Sequence, residues 1–115
     1  MDLNATHLTL AKDVCAQVGA HPQAPAPHEK LGLSRSARST QPLQGLRVNP
    51  TAGTCGWYIW AGELSAAEDF FEPVHVSHLE TVCPLSVGFL SLPPGWRFLT
   101  AGDYVDVWFD PDLRL

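Results

Sequence analysis

The sequence predicts a small α+β fold, an antiparallel β-sheet with short helices packed on one face. Two observations carry that prediction. A glycine–tryptophan pair twice opens an apolar run that stops at a small residue, a glycine and an acid, first in Gly56-Trp57-Tyr58-Ile59-Trp60-Ala61-Gly62-Glu63 and again in Gly95-Trp96-Arg97-Phe98-Leu99-Thr100-Ala101-Gly102-Asp103. Helix signals lie outside those blocks, at residues 7–18 and from Ser77 to Leu90. A chain of 115 residues allows one core of modest size.

Residues 7–18 read as a helix, because Ala11, Val14, Cys15 and Val18 recur at helical spacing and Gly19 supplies a stop. This defines an N-terminal helical part, residues 1–20. From 21 to 42 the composition shifts to Pro, Ala, Ser, Gln and Arg, with Leu31 and Leu33 the only larger apolar groups. So little apolar surface predicts a linker prone to disorder. Residues 43–115 then form the α+β domain.

Leu43–Val48 is a strand candidate closed by the turn signal Asn49-Pro50. In the first Gly-Trp block Trp57 and Ile59 point one way and Tyr58 and Trp60 the other, which predicts a central strand or one whose second face meets a partner. Glu63 to Pro73 reads as a loop or a short helical turn. Ser77 and Glu80 match a capping box, followed by Leu79, Val82 and Cys83 on one helical face. Pro84 suits the first turn of a second helix carrying Leu85, Phe89 and Leu90, and Pro93-Pro94-Gly95 turns the chain.

The last segment predicts its own register. A two-residue turn at Gly102-Asp103 pairs Ala101 with Tyr104, Thr100 with Val105, Phe98 with Val107 and Trp96 with Phe109. Leu99 then pairs with Asp106, and Arg97 with Trp108. A slip of one residue would mix an apolar face with a mixed one, so the pattern specifies the pairing.

The charge is uneven. Residues 1–47 hold five basic and three acidic groups, a net of +2; residues 48–115 hold two basic and nine acidic groups, a net of −7. An acidic domain repels nucleic acid and membrane surfaces and attracts a basic partner. Three cysteines cannot close a disulfide framework within one chain, which predicts a reducing, cytoplasmic setting. Neither a signal peptide nor a transmembrane run is expected.

Catalytic chemistry is not legible. Cys55, His75, His78 and Cys83 could be gathered into a zinc site, but no Cys-x-x-Cys or repeated ligand pair occurs, so core and surface roles are the better reading. Cys83 lies among apolar neighbours, where an inert thiol is expected, and Cys55 opens a strand. The acid pairs Asp110/Asp112 and Glu68/Asp69 read as solvated surface. The basic run Arg35–Arg47 lacks interleaved aromatics, and no phosphate-binding glycine loop is present. No catalytic residue, cofactor or metal is expected.

From Asn49 onward the chain resembles a family of bacterial immunity proteins (immunity family thirty-three, first catalogued as a domain of unknown function). The matching residues are Cys55 to Glu63, the acidic and aromatic stretch Glu68-Asp69-Phe70-Phe71, and the turn into a strand at Leu90-Ser91-Leu92-Pro93-Pro94-Gly95-Trp96-Arg97-Phe98. They cover about residues 49–110. The resemblance implies direct, non-catalytic neutralisation of a cognate polymorphic toxin. Members run from the first helix into the first strand within a few residues, so His21 to Gln41 stands as a departure.

Composition and resemblance together lead to an expected function: inhibition of a basic toxin by an acidic surface. The expected contacts are Glu63, Glu68, Asp69, Glu72, Asp103, Asp106, Asp110 and Asp112, anchored by Tyr58, Trp60 and Trp108. Those aromatics either lie under the N-terminal helix or form an exposed patch. The rival readings are a ligand-binding module with an aromatic pocket and a metal or cysteine enzyme.

Overall fold

Period-two alternation of large side chains builds six strands into one sheet. The structure, a computed structural model, describes residues 10–38 and 40–113. In chain order the elements are α1 (Leu10–Val18), β1 (Lys30–Ser34), β2 (Leu43–Arg47), β3 (Thr54–Ala61), β4 (Phe71–His75), α2 (Leu79–Val82), β5 (Trp96–Ala101) and β6 (Tyr104–Phe109). Short 3-10 segments lie at Arg35–Arg38, Val76–His78 and Pro84–Phe89. Of the expected first helix, residues 7–9 fall outside the described residues. Its end is as anticipated: the Ala20 N–H donates to the Cys15 carbonyl (2.8 Å) and the Gly19 N–H to that of Ala16 (3.4 Å), a Schellman closure.

The strands lie in the order β4-β1-β3-β2-β5-β6. All neighbours are antiparallel except β1 and β3, which run parallel, so the expected antiparallel sheet is corrected to a mixed one. The parallel pair arises because β1 comes from the stretch expected to be a linker. Leu31 and Leu33 are buried there, and β1 is hydrogen-bonded on both sides. Two leucines suffice because the neighbouring strands supply the ladder bonds that a lone segment would lack. The second half of the Glu63–Pro73 stretch is likewise a strand, β4, and its Pro73 is tolerated because β4 is an edge.

One sheet face is the core. Leu31, Leu33, Leu43, Cys55, Trp57, Ile59 and Phe98 from the strands join Val14 and Cys15 of α1, Leu79 of α2, and Cys83, Phe89, Leu90 and Leu92 in a single buried cluster. The Phe98 ring stacks on Phe89 (4.3 Å between centroids, 7° between planes) and tilts against Trp57 (5.6 Å). Each such side chain contributes about 1.5–3 kcal/mol by leaving water.

Arg47 is the exception on this face. It is 4% exposed and has no carboxylate partner among the described residues. Its Nε donates to the Cys55 carbonyl (2.9 Å), and its Nη1 to those of Gln23 (2.7 Å), Leu92 (2.8 Å) and Leu90 (3.2 Å). The Leu90 carbonyl also accepts the Trp57 indole N–H (3.0 Å). One guanidinium thus ties β2, β3, the segment after α1 and the loop before β5 together. Burial pulls its pKa below the ordinary arginine value, an effect opposed by nearby Cys55 and Glu29.

The hairpin has the expected register at all six pairs, and Gly102 takes a positive φ of 57°. The capping box does not form. Ser77 sits inside the Val76–His78 turn, its N–H is taken by the Pro27 carbonyl (3.1 Å), and no side chain caps α2. Pro84 does open the next helical segment, which is 3-10 rather than α.

Candidate interaction surface

Strand alternation sends a second set of side chains to the opposite face. Pro73, Gly32, Tyr58, Leu46, Arg97 and Trp108 are successive cross-strand partners, a row that crosses all six strands. A parallel row runs Trp60, Gln44, Leu99 and Asp106. Tyr58, Trp60 and Trp108 therefore share a face, and α1 is not their cover, since Val14 and Cys15 join the core cluster on the other side.

The three aromatics differ in exposure. Trp60 is only 3% exposed, whereas Tyr58 and Trp108 are half-buried. Phe71 accounts for much of this, with its ring 5.1 Å from Tyr58, 6.2 Å from Trp60 and 4.9 Å from Phe70. Gly32 makes room: a Cβ there would stand 2.8 Å from the Tyr58 ring and 3.1 Å from the Phe71 Cβ. A groove of about 300 Å³ lies alongside, bordered by Gly32, Gly56, Tyr58, Phe71 and Pro73, with Lys30 and Glu72 its charged residues. At the other side of the face, the Arg97 guanidinium lies 5.4 Å over the Trp108 ring and pairs with Asp110 (3.2 Å), while its Nε is buried without a partner.

The eight candidate carboxylates do not form one group. Gly102 donates to the Gln41 side chain (2.9 Å) and Gly62 to the Pro42 carbonyl (3.2 Å), which places the loops bearing Asp103 and Glu63 at the end where β2 begins. The loop with Glu68 and Asp69 leads into β4 at Phe71, opposite Ser34, at that same end. Asp110 and Asp112 lie at the other end, where the Asp110 N–H meets the Gly95 carbonyl (2.9 Å), and Asp106 lies between. Six residues of strand separate the ends by about 20 Å. Glu72 is engaged with Arg35 (3.0 Å) and Arg38 (3.9 Å), as Asp110 is with Arg97. The other six acids are exposed.

Among the described residues, no three His, Cys, Asp or Glu side chains come together as a metal site. Cys55 and Cys83 are buried in the core cluster; His75 and His78 are exposed with ring centroids 5.5 Å apart. Burial pushes the Cys15, Cys55 and Cys83 thiols up from their ordinary value, away from the thiolate a nucleophile needs.

Sequence reasoning missed Arg47, Phe71 as the centre of the aromatic cluster, and two exposed apolar residues, Tyr104 (57%) and Phe109 (54%). For Arg47 a signal existed: in Leu43-Gln44-Gly45-Leu46-Arg47 the arginine has the parity of Leu43, a core position.

The domain thus has one buried face that includes α1 and α2 in its core and an outer face of aromatic and charged groups. A family model described as Imm33-like domain matches residues 10–110, and the chain belongs to that immunity-protein family. The match extends upstream of the motifs and takes in the stretch from His21 to Gln41. No curated protein matches the chain, and no solved structure does. Among the described residues no helix is long and apolar enough to cross a membrane.

Proposed function

We propose that this protein neutralises a cognate protein toxin by direct, non-catalytic binding. The observation that carries the reading is membership of an immunity family over 101 of 115 residues, since immunity implies a toxin as partner. The exposed carboxylates Glu63, Glu68, Asp69, Asp103, Asp106 and Asp112 steer a basic toxin surface towards the domain. Tyr58 and Trp108 on the outer face, joined by Tyr104, supply apolar anchors. Trp60, 3% exposed beside Phe71, lies too deep to anchor the partner, and Glu72 and Asp110 hold neighbouring arginines. The absence of nucleic-acid and membrane partners, and a cytoplasmic site of action, belong to the same reading.

Co-expression with the product encoded beside the gene tests it. Rescue of growth together with an isolable one-to-one complex is expected. No rescue and no complex would turn attention to the second reading, which the groove beside Tyr58 and Phe71 favours: a small ligand held between aromatic rings. Thermal stabilisation by a metabolite, in a screen with the purified chain, is the sign of that alternative.

A further inference from the structure

The sheet is open, so β4 and β6 each leave one side unpaired among the described residues. The two edges are not alike. Beside β4, the Val76 N–H donates to the Glu29 carbonyl (2.9 Å), which sets the phase of its ladder with β1. Pro73 then falls where an N–H would point outward, and proline has none. That edge is blunted.

The β6 edge is intact. The two-residue turn makes Ala101/Tyr104, Leu99/Asp106 and Arg97/Trp108 the hydrogen-bonded pairs, and the bond from Asp110 to Gly95 continues the series. Val105, Val107 and Phe109 therefore aim N–H and C=O groups away from β5. No hydrogen bond among the described residues uses them.

Charge and alternation select what fits there. Residues 103–113 carry Asp103, Asp106, Asp110 and Asp112 and no lysine or arginine. A second copy pairing antiparallel would bring this acidic strand against itself, and facing like charges destabilise a sheet. A strand with basic residues beside Asp106, between Tyr104 and Trp108, meets both charge and ring faces. Its alternate, apolar residues would cover Val105, Val107 and the exposed Phe109 ring. We propose that β6 is a docking edge to which an extended, alternating basic–apolar segment of a partner protein adds as a further strand. The proposal rests on the toxin-binding reading for the partner's identity, and its geometry is testable without the toxin.

The probe is a blocked peptide of roughly ten residues alternating lysine and valine, added to the full chain while amide hydrogen exchange is followed. Exchange at Val105, Val107 and Phe109 is expected to slow roughly tenfold, with no such effect from a glutamate–valine peptide. Val107→Pro removes one outward donor without touching a bond to β5, and Asp106→Lys reverses the exposed charge; each is expected to abolish the protection. Asp106→Lys lies on the surface and serves as the check if the proline variant misfolds. Absence of protection at β6 with millimolar peptide, or protection confined to the groove, overturns the proposal, as does a concentration-dependent dimer that Val107→Pro dissolves. Rescue by both variants against the toxin would remove the edge and keep the toxin reading. Peptide protection without rescue by the unaltered chain would do the reverse.

Discussion

Arg47 couples parts of the chain that are far apart in sequence. Its guanidinium serves four main-chain carbonyls drawn from three separate stretches of the sequence. Arg47→Met is expected to lower stability by about 2–4 kcal/mol, because buried acceptors are left without donors. Arg47→Lys should fail to restore it, since one ammonium cannot reach β3 and both loops at once; urea midpoints of the two variants check this. Gly45 is constrained by space. A Cβ there would overlap the Phe98 ring, which cannot retreat because Phe89 and Trp57 hold it. Gly45→Ala is expected to cost about 1–3 kcal/mol by overpacking, measured the same way. The thiols add a pH dependence. Burial raises Cys15, Cys55 and Cys83 above 9.0, so the folded state keeps protons that the unfolded chain releases. Their contribution is complete below that value and is lost as pH rises through the folded-state pKa values. Unfolding midpoints should therefore fall above about pH 9, and the fall should shrink in Cys→Ala variants.

At the level of elements, β1 separates a folded segment from a linker. Leu33→Ala in a linker would change nothing, whereas truncation of a leucine buried between β3 and β4 should cost about 2–5 kcal/mol. A thermal-melt comparison with Leu64→Ala, an exposed leucine in the β3–β4 loop, decides between them. The hairpin behaves differently, because its turn is local. Gly102 meets nothing within 4 Å where a Cβ would stand, so Gly102→Ala carries only the backbone cost of φ 57°, about 1 kcal/mol. Asn at the same position should cost less.

Among the described residues, the carboxylates expected to meet a partner lie mostly at two ends of the sheet, with Asp106 between, rather than in one continuous patch. Steering acts at a distance, so the four acids Glu63, Glu68, Asp69 and Asp103 at one end can guide a basic partner without touching it. Association with the toxin is expected to slow roughly tenfold between about 0.05 and 0.5 M salt, while dissociation changes little. A salt-independent rate in stopped-flow mixing would remove the steering role and leave inhibition intact. Neutralising Asp110 and Asp112 at the far end should affect that rate less than neutralising the group of four.

Much of this was legible in the amino acids. The hairpin register, the Gly-Trp strands, the Gly19 stop and the placing of Pro84 follow from turn chemistry and from periods of two and 3.6, which neighbours in the chain express by themselves. Other features have no local signature. Leu31-Gly32-Leu33 becomes a strand only because β3 and β4 bracket it, and Ser77 loses its capping role because it lies inside the Val76–His78 turn, its amide held by the Pro27 carbonyl. The depth of Trp60, the separation of the carboxylates and the side of β6 left unpaired among the described residues likewise depend on which strands meet. Those pairings join residues far apart in sequence, and the free energy that selects them comes from burial and ladder bonds that no single segment contains.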